Sequence, residues 1–160
     1  INYLNVVQKY QEELINMKSS KCWTPLKLRA LDDRDLLIFT QCLYESIFLP
    51  TELNFNKKEK LFAMAIERFT WEIAEGKDYN LMQVLSVLIV NGTHEIQKDN
   101  LIQGQEIQNL RSISNIDNNI LILLNDEQTI NLRVENWSCI LEDIGKPKWP
   151  ATTPAHLKNE

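Results

Sequence analysis

Apolar residues recur at three- and four-residue steps through most of this chain, and at two-residue steps only near its end. Leu4, Val7, Tyr10, Leu14 and Met17 form one stripe that leaves Lys9, Glu12 and Glu13 for water, which predicts a first helix. Asp32 and Asp33 offer an N-cap to a second run through Leu36, Leu37, Phe39, Cys42, Leu43, Ile47 and Phe48, stopped by Pro50. Asn56 with Glu59 resembles a capping box, and Gly76 a helix end. Between them Phe62, Ala65, Ile66, Phe69 and Ile73 predict a third helix. The stretch from Asp78 to Gly92 fits either a helix or a strand entering a tight Asn91-Gly92 turn, and we read it as the most buried helix.

After Gly92 the pattern changes. Loops or short strands are expected to about residue 118. Ile130, Leu132 and Val134 then alternate with Thr129, Asn131 and Arg133, so 120–124 and 129–134 predict a hairpin. Asn136 is placed to cap a short last helix carrying Trp137, Ile140, Leu141 and Ile144. The prediction is an α+β fold, its helical N-terminal two-thirds packed with a small antiparallel sheet or hairpin in the C-terminal third. Residues 1–145 read as a single compact domain. Prolines at 147, 150 and 154 make 146–160 an extended tail that Trp149 would anchor.

Composition changes this picture little. With 160 residues and 44% apolar side chains, the chain can bury an ordinary core. Three widely spaced cysteines make a poor disulfide framework, and no leader-like segment opens the sequence, so a cytoplasmic protein is expected. No apolar run approaches the length of a membrane span. The net charge of −5 is unevenly spread: residues 93–145 hold nine acids against Lys98, Arg111 and Arg133. That excess disfavours direct contact with nucleic acid and favours a basic protein partner.

Chemistry is limited by what is missing. Four scattered glycines build no phosphate-cradling loop, and neither the cysteines nor His94 and His156 are spaced as zinc ligands. No cofactor and no metal are expected. A Cys139–His94 pair is conceivable for nucleophilic catalysis, and Asp32, Asp33 and Asp35 form the densest carboxylate cluster; a cap and an acidic first turn account for the latter.

The reading is therefore a non-enzymatic protein-binding module, specifically an intracellular inhibitor of immunity type that neutralises a basic toxin or nuclease. The expected partner contacts are Asp126 and Glu127 at the hairpin tip, then Glu135, Glu142 and Asp143, with Trp149 in the tail. The alternatives are an adaptor domain of a phage or viral assembly and a carboxylate-based metal hydrolase centred on Asp32, Asp33 and Asp35.

Overall fold

The computed structural model describes residues 23–74, 81–99, 107–125 and 128–148. The expected first helix, the Asp126–Glu127 tip and Trp149 lie outside them. In chain order come β1 (Lys27–Ala30), α1 (Asp33–Leu43), β2 (Ile47–Phe48), a 3₁₀ turn (Pro50–Glu52), β3 (Leu53–Asn56) and β4 (Leu61–Phe69). The short α2 (Trp71–Ala74), β5 (Gln83–Asp99), β6 (Gln108–Ile116), β7 (Asn119–Leu124) and β8 (Thr129–Asp143) follow. The fold is mostly β, which corrects the α+β expectation and its helical N-terminal two-thirds.

Six antiparallel strands close a barrel in the order β8-β5-β4-β2-β6-β7, with β7 returning to β8. β1 adds to β8 and β3 adds to β4 outside the closed path. Closure pairs most of the barrel strands on both sides and so reduces the exposed edges that an open sheet would present.

The expected third helix is instead the β3–β4 hairpin. Asn56 does accept a bond from the Glu59 backbone N–H, at 3.1 Å, but the cap stabilises a turn. Phe62, Met64, Ile66 and Arg68 point inward along β4 and are buried. An inward arginine hides the two-residue alternation, and the dense apolar run then also satisfies a helical stripe. The expected fourth helix is the first half of β5, where Val84, Ser86, Leu88 and Val90 face the core. The expected last helix is the second half of β8, where Cys139, Leu141 and Asp143 face inward. The pairing expected between 120–124 and 129–134 is formed, with Ile120 opposite Leu132 and Ile122 opposite Ile130.

Helix α1 forms where expected but ends at Leu43, before β2. Its Leu36, Phe39 and Leu43 enter the barrel core. The two-residue β2 leaves much of β6 without a neighbour on that side, and α1 supplies one. The Thr40 hydroxyl donates to the Ile113 carbonyl at 2.9 Å and accepts from the Ile113 N–H at 3.1 Å. At the other end of α1, Asp32 accepts the Asp35 N–H at 2.9 Å as its N-cap. Asp32→Ala should therefore lower stability by about 1 kcal/mol, read by urea denaturation, since one orphan donor loses its partner.

Buried at one end of the barrel is a charge cluster. Arg68, fully shielded from water, donates to both oxygens of Asp143 at 2.7 and 2.8 Å and to both of Glu72 at 2.9 and 2.7 Å. Among the described residues no helix is long and apolar enough to cross a membrane.

Candidate functional site

The longest strands among the described residues, β5 and β8, bend together, and the bend makes a recess on the barrel's outer surface. Their pairing slips twice, between Asn91 and Thr93 and again between Thr93 and Glu95. Val134 pairs with Thr93 and Ser138 with Asn91, so β8 bulges out through Glu135, Asn136 and Trp137. On β5 the residue forced out is His94. Bulges re-aim side chains, and here they bring together two that the alternation would not: His94 Nε2 lies 3.2 Å from Glu135 Oε2. The extra residues also shift the phase of β8, whose inward positions change from 130, 132 and 134 to 139, 141 and 143.

Two turns pin the bend. The N–H groups of Gly92 and Thr93 both donate to the Lys60 carbonyl, at 2.9 and 3.0 Å, which ties the β3–β4 turn to it. The Val134 N–H donates to Asn118 at 2.9 Å, which ties on the β6–β7 turn. Lys60, Gly92, Asp117, Asn118 and Asn136 all adopt positive φ here, between 48° and 83°. Gly, Asn and Asp tolerate that region best, so the local sequence suits the geometry.

The result is an open groove of about 1190 Å³. Its walls are His94 to Gln97, Asp117 to Asn119 and Arg133 to Glu135, with Asn131 and Lys57 completing the lining. Across β5 and β8, Arg133 Nη1 approaches Glu95 Oε2 to 3.8 Å, with both side chains about 70% exposed. Such exposed pairs contribute little to stability and exchange readily for other partners. The Asn131 side-chain oxygen is shielded from water and has no hydrogen-bond donor. A smaller recess is lined by Leu31, Asp32, Asp33, Arg34, Asn115 and Trp137.

Of the acids singled out from the sequence, only Glu135 lines the groove among those the structure describes. Glu142 is on another part of β8, opposite Lys27, with 4.0 Å between their charged atoms. Asp143 faces inward, held by Arg68, by Ser86 Oγ at 2.7 Å and by the Leu26 N–H at 2.8 Å. Burial alone would raise its pKa, but these hydrogen bonds outweigh that and hold the carboxyl below the usual carboxylate range. Asp32, Asp33 and Asp35 serve the start of α1. Asp35 accepts the Leu31 N–H at 2.9 Å, and Asp33 accepts from the Asn115 amide at 3.2 Å. Among the described residues no three His, Cys, Asp or Glu side chains gather as a metal site. Cys139 is buried in the core, which pushes its thiol up to about 12, whereas His94 lines the groove.

Sequence reasoning missed Glu95, Asn131 and Arg133 and weighed His94 only as a partner of Cys139, because it did not set β5 beside β8. The available signal was Gly92, a glycine interrupting a β-branched run, which marks a bulge.

The molecule is thus a closed six-stranded antiparallel barrel with a polar groove on its outer wall at the β5–β8 bend. The chain belongs to the family described as Protein of unknown function (DUF2948), which it matches over residues 26–156. No curated protein and no solved structure matches it.

Proposed function

We propose that the protein is a binding module that engages a basic segment of a partner protein through the groove at the β5–β8 bend. The observation that carries this reading is the pair of contacts His94–Glu135 and Arg133–Glu95, whose carboxylates are about 70% exposed and which flank the paired bulges. Bulges at a bend shape a surface, and loosely held carboxylates are ready to be taken by a stronger cationic partner. Three carboxylates, Glu95, Asp117 and Glu135, line the groove with two fixed cations, Lys57 and Arg133, so its fixed charges sum to a net negative charge. The negative net charge would hasten encounter with a basic surface. Cys42 and Cys139 are free thiols, which fits a reducing, cytoplasmic setting.

The test is a quantitative capture from the source cell, comparing the native chain with a Glu95→Lys/Glu135→Lys variant. Both side chains are about 70% exposed, so the fold tolerates the change. A partner with a basic surface should be enriched at 1:1 on the native chain and lost on the variant. Equal recovery on both removes the groove from the account.

A further inference from the structure

The placement of Arg133, Glu95 and Asn131 says more about what the groove would hold. All three lie on the outer face of the β5–β8 ribbon. Glu95 is directly opposite Arg133, and Gln97 is opposite Asn131. The guanidinium of Arg133 stands near Glu95 but only at 3.8 Å, at the limit of an ion pair, with both side chains about 70% exposed. Two residues along β8, the Asn131 side-chain oxygen is an acceptor cut off from water that has no donor. As the amide stands no group can reach that oxygen; a turn about its last torsion would present it to the groove as an acceptor for an N–H donor.

We propose that the groove is a seat for an arginine side chain of the partner, with Glu95 as counter-ion and Asn131 as the floor acceptor. This rests on the binding-module reading and narrows it. A guanidinium presents five N–H donors in a planar fork, so one group can serve a carboxylate and a neighbouring amide oxygen together. An ammonium lacks that fork. Arg133 is then an internal competitor: it occupies Glu95 loosely in the free protein and yields it when the partner arrives. Lys57, Arg133 and His94 also line the groove, and an anion is the opposite occupant to weigh against this one. The fixed charges of the lining, Glu95, Asp117 and Glu135 against Lys57 and Arg133, sum to a net negative charge, which favours the cation reading.

The test is a nuclear magnetic resonance titration of the full chain with acetyl-arginine methylamide. Acetyl-citrulline methylamide serves as the uncharged isostere, acetyl-lysine methylamide as the unforked cation and inorganic phosphate as the anion. The arginine probe should shift the side-chain amides of Gln97 and Asn131, and bind roughly tenfold more tightly than citrulline, as expected for a charge-assisted contact. Glu95→Gln should remove most of that preference. Arg133→Gln should tighten binding several-fold by removing the competitor. Arg29→Gln, which removes the same charge from β1 outside the groove, should leave it unchanged at physiological salt.

Citrulline or lysine binding as tightly as arginine would overturn the seat. So would phosphate perturbing the same amides more tightly, weaker binding in Arg133→Gln, or no arginine-induced shift at all. The broader reading has its own failure, equal partner capture by the Glu95→Lys/Glu135→Lys variant. A partner that is lost on that variant yet indifferent to Arg133→Gln would leave the module standing and remove the arginine seat.

Discussion

Asp143→Ala should lower the unfolding free energy by about 3–5 kcal/mol, the usual cost of stranding one partner of a buried ion pair. Arg68 has no exposed surface, and its Nε and one terminal nitrogen are both spent on Asp143. Glu72 and the Phe69 carbonyl would keep their bonds to the guanidinium, but its Nε–H and the Ser86 hydroxyl would both lose their shared carboxylate acceptor. The Leu26 N–H would lose its carboxylate acceptor as well. Urea denaturation of the two proteins at neutral pH measures the loss. Acid supplies an independent check. Because folding depresses the Asp143 pKa, its ionised form contributes stability that is fully present above the unfolded value of about 4. That contribution is lost as pH falls from there through the lower folded value. The stability gap between the native chain and Asp143→Asn should therefore narrow over that acidic window and stay constant above it. A gap unchanged by acid would mean the carboxylate's charge is not what holds Arg68.

The same buried charge explains why so much of the barrel was illegible in the sequence. Along β4 the inward positions are Phe62, Met64, Ile66 and Arg68, and a charged residue in the last place breaks the alternation that betrays a strand. A helical stripe through Phe62, Ala65, Ile66 and Phe69 fits the same residues without burying a charge. In β5 the outward positions Leu85, Val87 and Ile89 are apolar too, so no two-residue period survives to be read. β8 alternates cleanly only up to Val134; the bulge then inverts its phase, and Cys139, Leu141 and Asp143 read as a new element. Where neither a charge nor a bulge intervened, as in Ile130, Leu132 and Val134, the pattern was plain. Glu135 was legible as an exposed acid. Its neighbours on β5 were not, because the register shifts that set His94 against Glu135 and Glu95 opposite Arg133 are not encoded in residue spacing.

Gly92→Ala should be nearly as damaging as the loss of Asp143, and its damage should fall on the groove. Gly92 sits at φ 83°, where a side chain is disfavoured by about 1–2 kcal/mol before any contact is considered. A Cβ there would lie 2.4 Å from the Glu135 carbonyl oxygen and 3.2 Å from the Trp137 Cα. Both are backbone atoms of the β8 bulge, so no flexible side chain can move aside. Relief requires β8 to shift away from β5 where the two strands carry Glu135 and His94. The expected total is roughly 2–4 kcal/mol in urea denaturation, combining the backbone strain with the cost of displaced packing. Gly145→Ala is the matched control: its Cβ would approach no backbone atom closer than 3.5 Å, with Leu85 Cβ at 3.1 Å, so a much smaller loss is expected. Backbone amide shifts should separate the two. In Gly92→Ala the changes should centre on residues 92–95 and 133–137 and should weaken arginine-probe binding in the fraction that remains folded. A variant as stable as the native chain would mean that the β5–β8 bend is plastic. The bulges would then not be holding His94 and Glu135 in place.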